Sequence, residues 1–335
     1  MDRYARQMLF GPIGESGQRK LAKSSVLIVG AGALGGIIAS QLARAGVGHI
    51  RLIDRDYVEM SNLQRQFLFD EEDVKQNLPK AIAAKNKLTA MNSEIEIEAI
   101  VGNVTNDNIE ELISGIDVVL DGTDNFATRF LLNDICFKRS VPYSYGGVVS
   151  SRGMTAFFVP NQTPCLRCMV KESAGDGQTC DTVGVISPIV DMISSYQVAE
   201  TLKYLTGNIK SLRQTFRTMD IWHNRNFDVK LTKQNKNCLT CQHEKYPALE
   251  RTSQRHETVL CGRNTVQIHQ QDELDLAKWE KRLSPVAKTS LTPFLLKAEF
   301  NGQITFVLFS DGRVLVQGTE DIVEARTWYD RYIGS

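Results

Sequence analysis

The stretch SSVLIVGAGALGG, residues 24–36, decides the fold. Its first half is a short apolar run rich in β-branched residues, which reads as a buried strand. Gly30, Gly32 and Gly35 follow at once in a G-x-G-x-x-G array, and ALGGIIASQLARAG continues with apolar residues at helical spacing. Strand, glycine turn and helix together let a phosphate approach bare backbone at a positive helix end. HIRLID, residues 49–54, is a second strand and ends on Asp54. An acidic residue at that position, about twenty residues beyond the glycines, is placed to meet ribose hydroxyls. These features alone fit a dinucleotide oxidoreductase as well as any other nucleotide enzyme.

Outward from this unit the alternation repeats. PKAIAAKNKLTAMN is a helix opened by Pro79, EIEIEAIV an alternating strand, NDNIEELIS a short helix and IDVVLDGTD a further strand. FATRFLLNDICFKRS is then a helix leading into the strand VPYSYGG. Strands and helices of this length in alternation specify an α/β fold with a doubly wound, mostly parallel, Rossmann-like sheet. After about residue 150 the pattern changes: SRGMTAFFVP, LRQTFRTMDIW and FDVKLTK are strands around a long helix, SPIVDMISSYQVAETLKYLTG. The expected organisation is a domain over 1–245, with a nucleotide-binding half at about 1–150 and a second half at about 151–245. A polar linker, 246–256, leads to a small α+β C-terminal domain, 257–335, in which QITFVLFSDGRVLVQG is a hairpin signal before the helix DIVEARTWYDRYI.

Composition excludes several function classes. The chain has 335 residues, 42% hydrophobic, with 39 basic against 39 acidic side chains, so no basic field draws it to nucleic acid or a membrane surface. The start, MDRYARQMLF, lacks the apolar core of a signal peptide. The most apolar stretch, SVLIVGAGALGGIIASQLARAG, is interrupted by five glycines and by Ser40, Gln41 and Arg44, and reads as strand, turn and helix rather than as a membrane span. A cytoplasmic location is expected.

Seven cysteines in such a compartment point to metal or catalysis before disulfides. CLRC (165–168) and CLTC (238–241) are two Cys-x-x-Cys pairs. Cys165, Cys168, Cys238 and Cys241 supply the four sulfur ligands of a closed, structural zinc site that clips distant segments together. Independent redox dithiols, or unrelated surface cysteines, are the alternatives. His243 is a spare ligand beside a site already full. Cys136 falls on an apolar helical face and reads as core; Cys261 has no assigned role.

A set of charges points away from hydride transfer. NLQRQ supplies Asn62, Arg65 and Gln66, NLPKA supplies Lys80, and LDGTDN supplies Asp121 and Asp124. In an open parallel sheet the carboxyl ends of the strands share one crevice, so these residues can converge on phosphates at the glycine turn. Cations plus a carboxylate suit a triphosphate with magnesium. Taken singly, Arg65 and Lys80 also fit solvated surface charges, and Asp124 a helix N-cap.

RYARQ, GAGALGG, DRDYVEMSNLQRQ, NLPKA, LDGTDN, the two cysteine pairs and TCDTVGVISP together resemble the MoeB/ThiF/HesA family of adenylyltransferases, relatives of the ubiquitin-activating enzymes. The resemblance covers roughly residues 1–245. It implies ATP-dependent adenylation of the C-terminal glycine carboxylate of a small β-grasp sulfur-carrier protein ending in Gly-Gly, ahead of thiocarboxylate formation. By motif, Asp54 holds ribose, Asn62, Arg65 and Lys80 contact phosphates, Asp124 binds Mg2+, and residues 151–245 bind carrier and zinc. Arg6 of RYARQ matches an arginine that completes the neighbouring subunit's site, so a homodimer is expected. A disordered N-terminal charge is its bland alternative. Cys180, in DGQTCDTVGV, matches a cysteine that links covalently to the carrier in some members and is dispensable in others.

The C-terminal domain is too short for a rhodanese, so sulfur is expected from a separate donor such as a cysteine desulfurase or a rhodanese. The motifs act on a glycine carboxylate that molybdopterin and thiamin carriers share; the expectation leans to molybdopterin. An NAD-dependent oxidoreductase and a non-catalytic zinc-bearing interaction module are the alternatives from other classes.

Overall fold

The computed structural model describes residues 3–170, 183–232, 235–250, 264–270, 272–300 and 302–334, and the backbone of 257–260. The chain divides into two compact units, Met1–Thr252 and Ser253–Ser335.

The first unit is built on an eight-stranded sheet: β1 (Ser25–Val29), β2 (His49–Asp54), β3 (Glu96–Val101), β4 (Val118–Asp121), β5 (Tyr143–Val149), β6 (Arg152–Phe158), β7 (Thr215–Asp220) and β8 (Arg225–Lys230). Their order is β3-β2-β1-β4-β5-β6-β7-β8. Strands β3 to β5 in that order pair in parallel, and pairing turns antiparallel from β5 to β6 onward. The expected α/β architecture, a mostly parallel sheet running on into an antiparallel part, is present.

β1 explains the alternation physically. Val26 and Ile28 pack to one side with the helices Ala33–Ala45, Lys80–Met91 and Ser187–Thr206, while Leu27 and Val29 pack to the other with Phe126–Arg139. A parallel strand covered on both faces must be apolar throughout, which is why SVLIV shows no period of two. Truncating one such side chain, as in Ile28→Ala, is expected to cost about 2–5 kcal/mol. Cys136 is fully buried in the second of these cores, where burial pushes its thiol well above the usual range. It is an inert core residue.

The second unit is a six-stranded antiparallel sheet, ordered β11-β12-β13-β14-β10-β9. It comprises β9 (Glu257–Leu260), β10 (Thr265–His269), β11 (Lys288–Leu291), β12 (Leu295–Phe300), β13 (Ile304–Phe309) and β14 (Arg313–Gln317), with helices Leu276–Leu283 and Ile322–Tyr332. The hairpin read from QITFVLFSDGRVLVQG is β13–β14. Phe300, Phe306 and Tyr332 build its aromatic core, with Phe300 centred 4.9 Å from Phe306 and 4.4 Å from Tyr332.

Candidate functional site

The glycine turn is held by backbone-to-backbone contact that no side chain survives. A Cβ on Gly35 would lie 1.7 Å from the Gly30 carbonyl oxygen, and one on Gly122 would lie 2.5 Å from the same atom. Gly30 itself sits at φ +90°, in the left-handed region that glycine alone adopts without strain. Turn and helix thus press against the turn after β4, which brings LDGTDN beside GAGALGG. Gly122 was not singled out in the sequence; its place directly after a buried strand, like that of Gly30, was the available signal.

Asp54 caps this arrangement. Its Oδ2 accepts from the Ala31 N–H at 2.6 Å and its Oδ1 from the Asp56 N–H at 2.7 Å. Burial pushes its carboxyl up, with Asp56 adding to the effect, while Lys80 and these two N–H groups pull the other way. Each oxygen keeps a lone pair for a further donor. Lys80 begins the helix Lys80–Met91 and is buried, its Nζ 3.4 Å from the Asp56 carboxylate and its N–H bonded to the Asp56 carbonyl. Asp56, which sequence reasoning passed over inside DRDYVEM, therefore clamps Lys80 at both ends.

NLQRQ forms a tight turn. Buried Asn62 accepts from the Glu59 N–H at 3.2 Å, and Arg65 donates to the Ser61 carbonyl at 3.0 Å. Gln66 is buried with its Oε1 unpartnered, and its Nε2 lies 3.7 Å from where a Gly32 Cβ would stand. A buried amide oxygen without a donor costs about 1–3 kcal/mol, so Gln66 beside the glycine turn carries an unused acceptor.

The two carboxylates of LDGTDN part company. Asp121 is turned inward and fully buried: it accepts from the Thr123 N–H and hydroxyl and from Tyr143 Oη at 2.6 Å, and pairs with Arg129 at 3.6 Å. It does not join the crevice, contrary to expectation, because a buried charge needs these partners. Burial raises its carboxyl, with Arg129 opposing. Asp124 is exposed, and Asn125, not Asp124, caps the helix Phe126–Arg139 by accepting from the Thr128 N–H. That removes the capping explanation for Asp124.

Arg6 lies elsewhere. It is on an ordered turn, Ala5–Met8, and is exposed. Gln7 donates to the Ala45 carbonyl at 2.8 Å, and Tyr4 Oη accepts from Asn92, which also holds the Ala43 carbonyl. These are the far end of the helix Ala33–Ala45, whose 13 residues span about 20 Å. That distance exceeds the reach of an arginine side chain to the glycine turn at the helix start. Cys180 and Cys261 fall outside the described residues.

The four clip cysteines converge, their sulfur atoms all within 4.8 Å of one another. Cys165 and Cys238 are 3.5 Å apart, as are Cys168 and Cys241. A tetrahedral site with Zn–S bonds of about 2.3 Å puts its sulfurs about 3.8 Å apart, so the donor set and spacing fit zinc. His243 is exposed and outside this cluster.

The ThiF family profile matches residues 4–240. The chain belongs to the ThiF family. It is 42% identical, over 99% of its own length and 99% of the relative's, to the sulfur carrier protein ThiS adenylyltransferase of Bacillus subtilis. It is 37% identical to the adenylyltransferase and sulfurtransferase MOCS3 of Culex quinquefasciatus over 71% of this chain and 55% of that one. Among solved structures, E. coli MccB with ATP shares the fold at TM-score 0.63 and 24% identity, over 72% of this chain and 74% of that one. No helix among the described residues is long and apolar enough to cross a membrane.

Proposed function

We propose that this ThiF-family chain adenylates the C-terminal carboxylate of a small sulfur-carrier protein. The carrier's carboxylate oxygen attacks the α-phosphorus of ATP, the α–β phosphoanhydride bond breaks, and pyrophosphate leaves. The product is a carrier acyl-adenylate open to sulfur transfer from a separate donor protein.

The observation that carries this proposal is the likeness to a ThiS adenylyltransferase along the whole chain. The geometry supports it. The glycine turn with Gly30, Gly32 and Gly35 takes the nucleotide, Asp54 accepts from ribose hydroxyls, and Asn62, Arg65, Gln66 and Lys80 orient the phosphates. Lys80, parked on Asp56, shifts its charge toward phosphate oxygens. Asp124 would hold magnesium, which would supply positive charge to offset the phosphates during in-line displacement. Arg6, on the turn Ala5–Met8 whose Gln7 contacts the far end of the helix from the glycine turn, serves the partner subunit's site in a homodimer. Cys180 is a candidate for a covalent or relay step with the carrier.

For the pathway, the match that includes the C-terminal unit names ThiS, so we favour a ThiS-type, thiamin-pathway carrier over the molybdopterin-pathway carrier to which the sequence reading leaned, although the motifs themselves fit both. The MOCS3 likeness, which spans less of the chain, keeps the molybdopterin carrier as the second candidate. Incubation with ATP, magnesium and each purified carrier, read by mass spectrometry, is expected to yield the adenylate of the ThiS-type carrier. An adenylate with the molybdopterin carrier alone reverses the pathway assignment. Absence of any adenylate, with NAD reduction in its place, overturns the reaction class.

A further inference from the structure

The two cysteine knuckles carry different residues at their third positions, Arg167 in CLRC and Thr240 in CLTC. Both reach the same buried carboxylate. Asp134 Oδ1 accepts from Arg167 Nε at 3.0 Å and from the Thr240 hydroxyl at 2.7 Å, while Oδ2 accepts from the Arg167 guanidinium at 2.9 Å and the Ala248 N–H at 2.9 Å. Asp134 has no solvent exposure. Its neighbour Asn133 accepts from the Leu166 N–H, inside the first knuckle, at 2.8 Å. Asn133 Nδ2 also donates to Asp134 Oδ1, at 3.1 Å. Five hydrogen bonds on one carboxylate occupy both its oxygens and leave it no freedom to turn.

We propose that Asp134 is the positioning residue of the metal clip, holding both knuckles in the ligating arrangement before and after the ion arrives. This rests on the zinc assignment of the four cysteines. The physical need is plain: four thiolates drawn within a few ångströms repel one another, and 73 residues separate the paired sulfurs of the two knuckles along the chain. A single buried acceptor shared by both knuckles fixes their relative position without touching the sulfurs. Partners behind metal ligands commonly set affinity by about 10–100-fold. The carboxylate sits on the helix Phe126–Arg139, whose first turn follows Asp124, so the clip's anchor and Asp124 are tied to one rigid element.

The test compares wild type, Asp134→Asn and Thr240→Val in the full chain. Cobalt(II) substitution first reports whether wild type forms a tetrathiolate site. Zinc affinity is then measured by competition with a chromogenic chelator, and Tm with and without zinc. Asp134→Asn is expected to weaken zinc about 10–100-fold, and Thr240→Val, which removes one hydrogen bond, about 3–10-fold. In both, the rise in Tm on adding zinc should shrink. A merely structural carboxylate would lower Tm equally with and without zinc. If Asp134→Asn fails to fold, Thr240→Val decides. Variants that bind zinc within twofold of wild type overturn the positioning role alone. A wild type lacking the cobalt–thiolate spectrum overturns the metal assignment and the proposal together.

Discussion

The clip and the nucleotide crevice are built by opposite rules. Around the four cysteines the polar groups are enclosed and paired: Asp134 holds five hydrogen bonds, its donors Thr240, Ala248 and Asn133 are buried with it, and two of the four thiols lie in the core. Around the glycine turn the groups are less enclosed. Gln66 has an orphaned Oε1, Lys80 leans on Asp56 at 3.4 Å, Arg65 is half-buried and Asp124 is exposed. A structural site closes on itself, whereas a site that must exchange ligands keeps open positions. One lesson follows: damage to the clip should register as stability, and damage to the crevice as turnover.

The largest effect that would sharpen this contrast is on catalysis. Asp124→Ala should lower adenylate formation by about three orders of magnitude or more while Tm stays within about 1 °C, because an exposed side chain outside the cap contributes little to folding. Near wild-type turnover, or a large fall in Tm, would break the comparison.

Next comes the clip. Cys238→Ser should abolish stoichiometric zinc and lower Tm by roughly 10 °C, with nucleotide binding to the remaining folded protein near normal. A variant that keeps a full equivalent of zinc and its melting temperature removes the clip from the account.

Arg6 adds the dimer to the contrast. Arg6→Ala and Asp124→Ala should each be nearly inactive, yet their mixture should recover up to about a quarter of wild-type activity. Half of randomly exchanged dimers are mixed, and each then has one intact site. No recovery after subunit exchange has been demonstrated by mass would leave Arg6 as a local or structural residue at the far end of the helix Ala33–Ala45.

The smallest effect belongs to a charge pair outside both sites. Asp228 accepts from Arg217 at 2.9 and 2.7 Å, and this hydrogen bonding holds its carboxyl below the usual value. A depressed carboxylate stabilises the fold above its unfolded value of 3.8, and that contribution is lost as pH falls through the folded value. Asp228→Asn should therefore cost less than about 1 kcal/mol at pH 7 after solvent screening, and nothing in strong acid. Denaturant titrations at the two pH values measure it, and a larger cost would make this outer sheet edge more than a bystander.

By itself the sequence determined what local spacing can encode. The apolar run before Gly30 and the helical period after it set the βα unit, because backbone torsion and two-sided burial act over a few residues. The Cys-x-x-Cys pairs announced a four-sulfur site, since ligand spacing is a local property, and NLQRQ, NLPKA and LDGTDN named the charged groups. Only the tertiary structure decided how those groups divide their work. Asp121 and Asp124 stand three residues apart, yet one is sealed beneath Tyr143 and Arg129 and the other faces solvent. Asp56 meets Lys80 across 24 residues, and Asp134 meets Thr240 across 106. A hydrogen-bond partner at such separations is chosen by where the sheet order and helix packing bring the chain back. No period or motif along the chain carries that information.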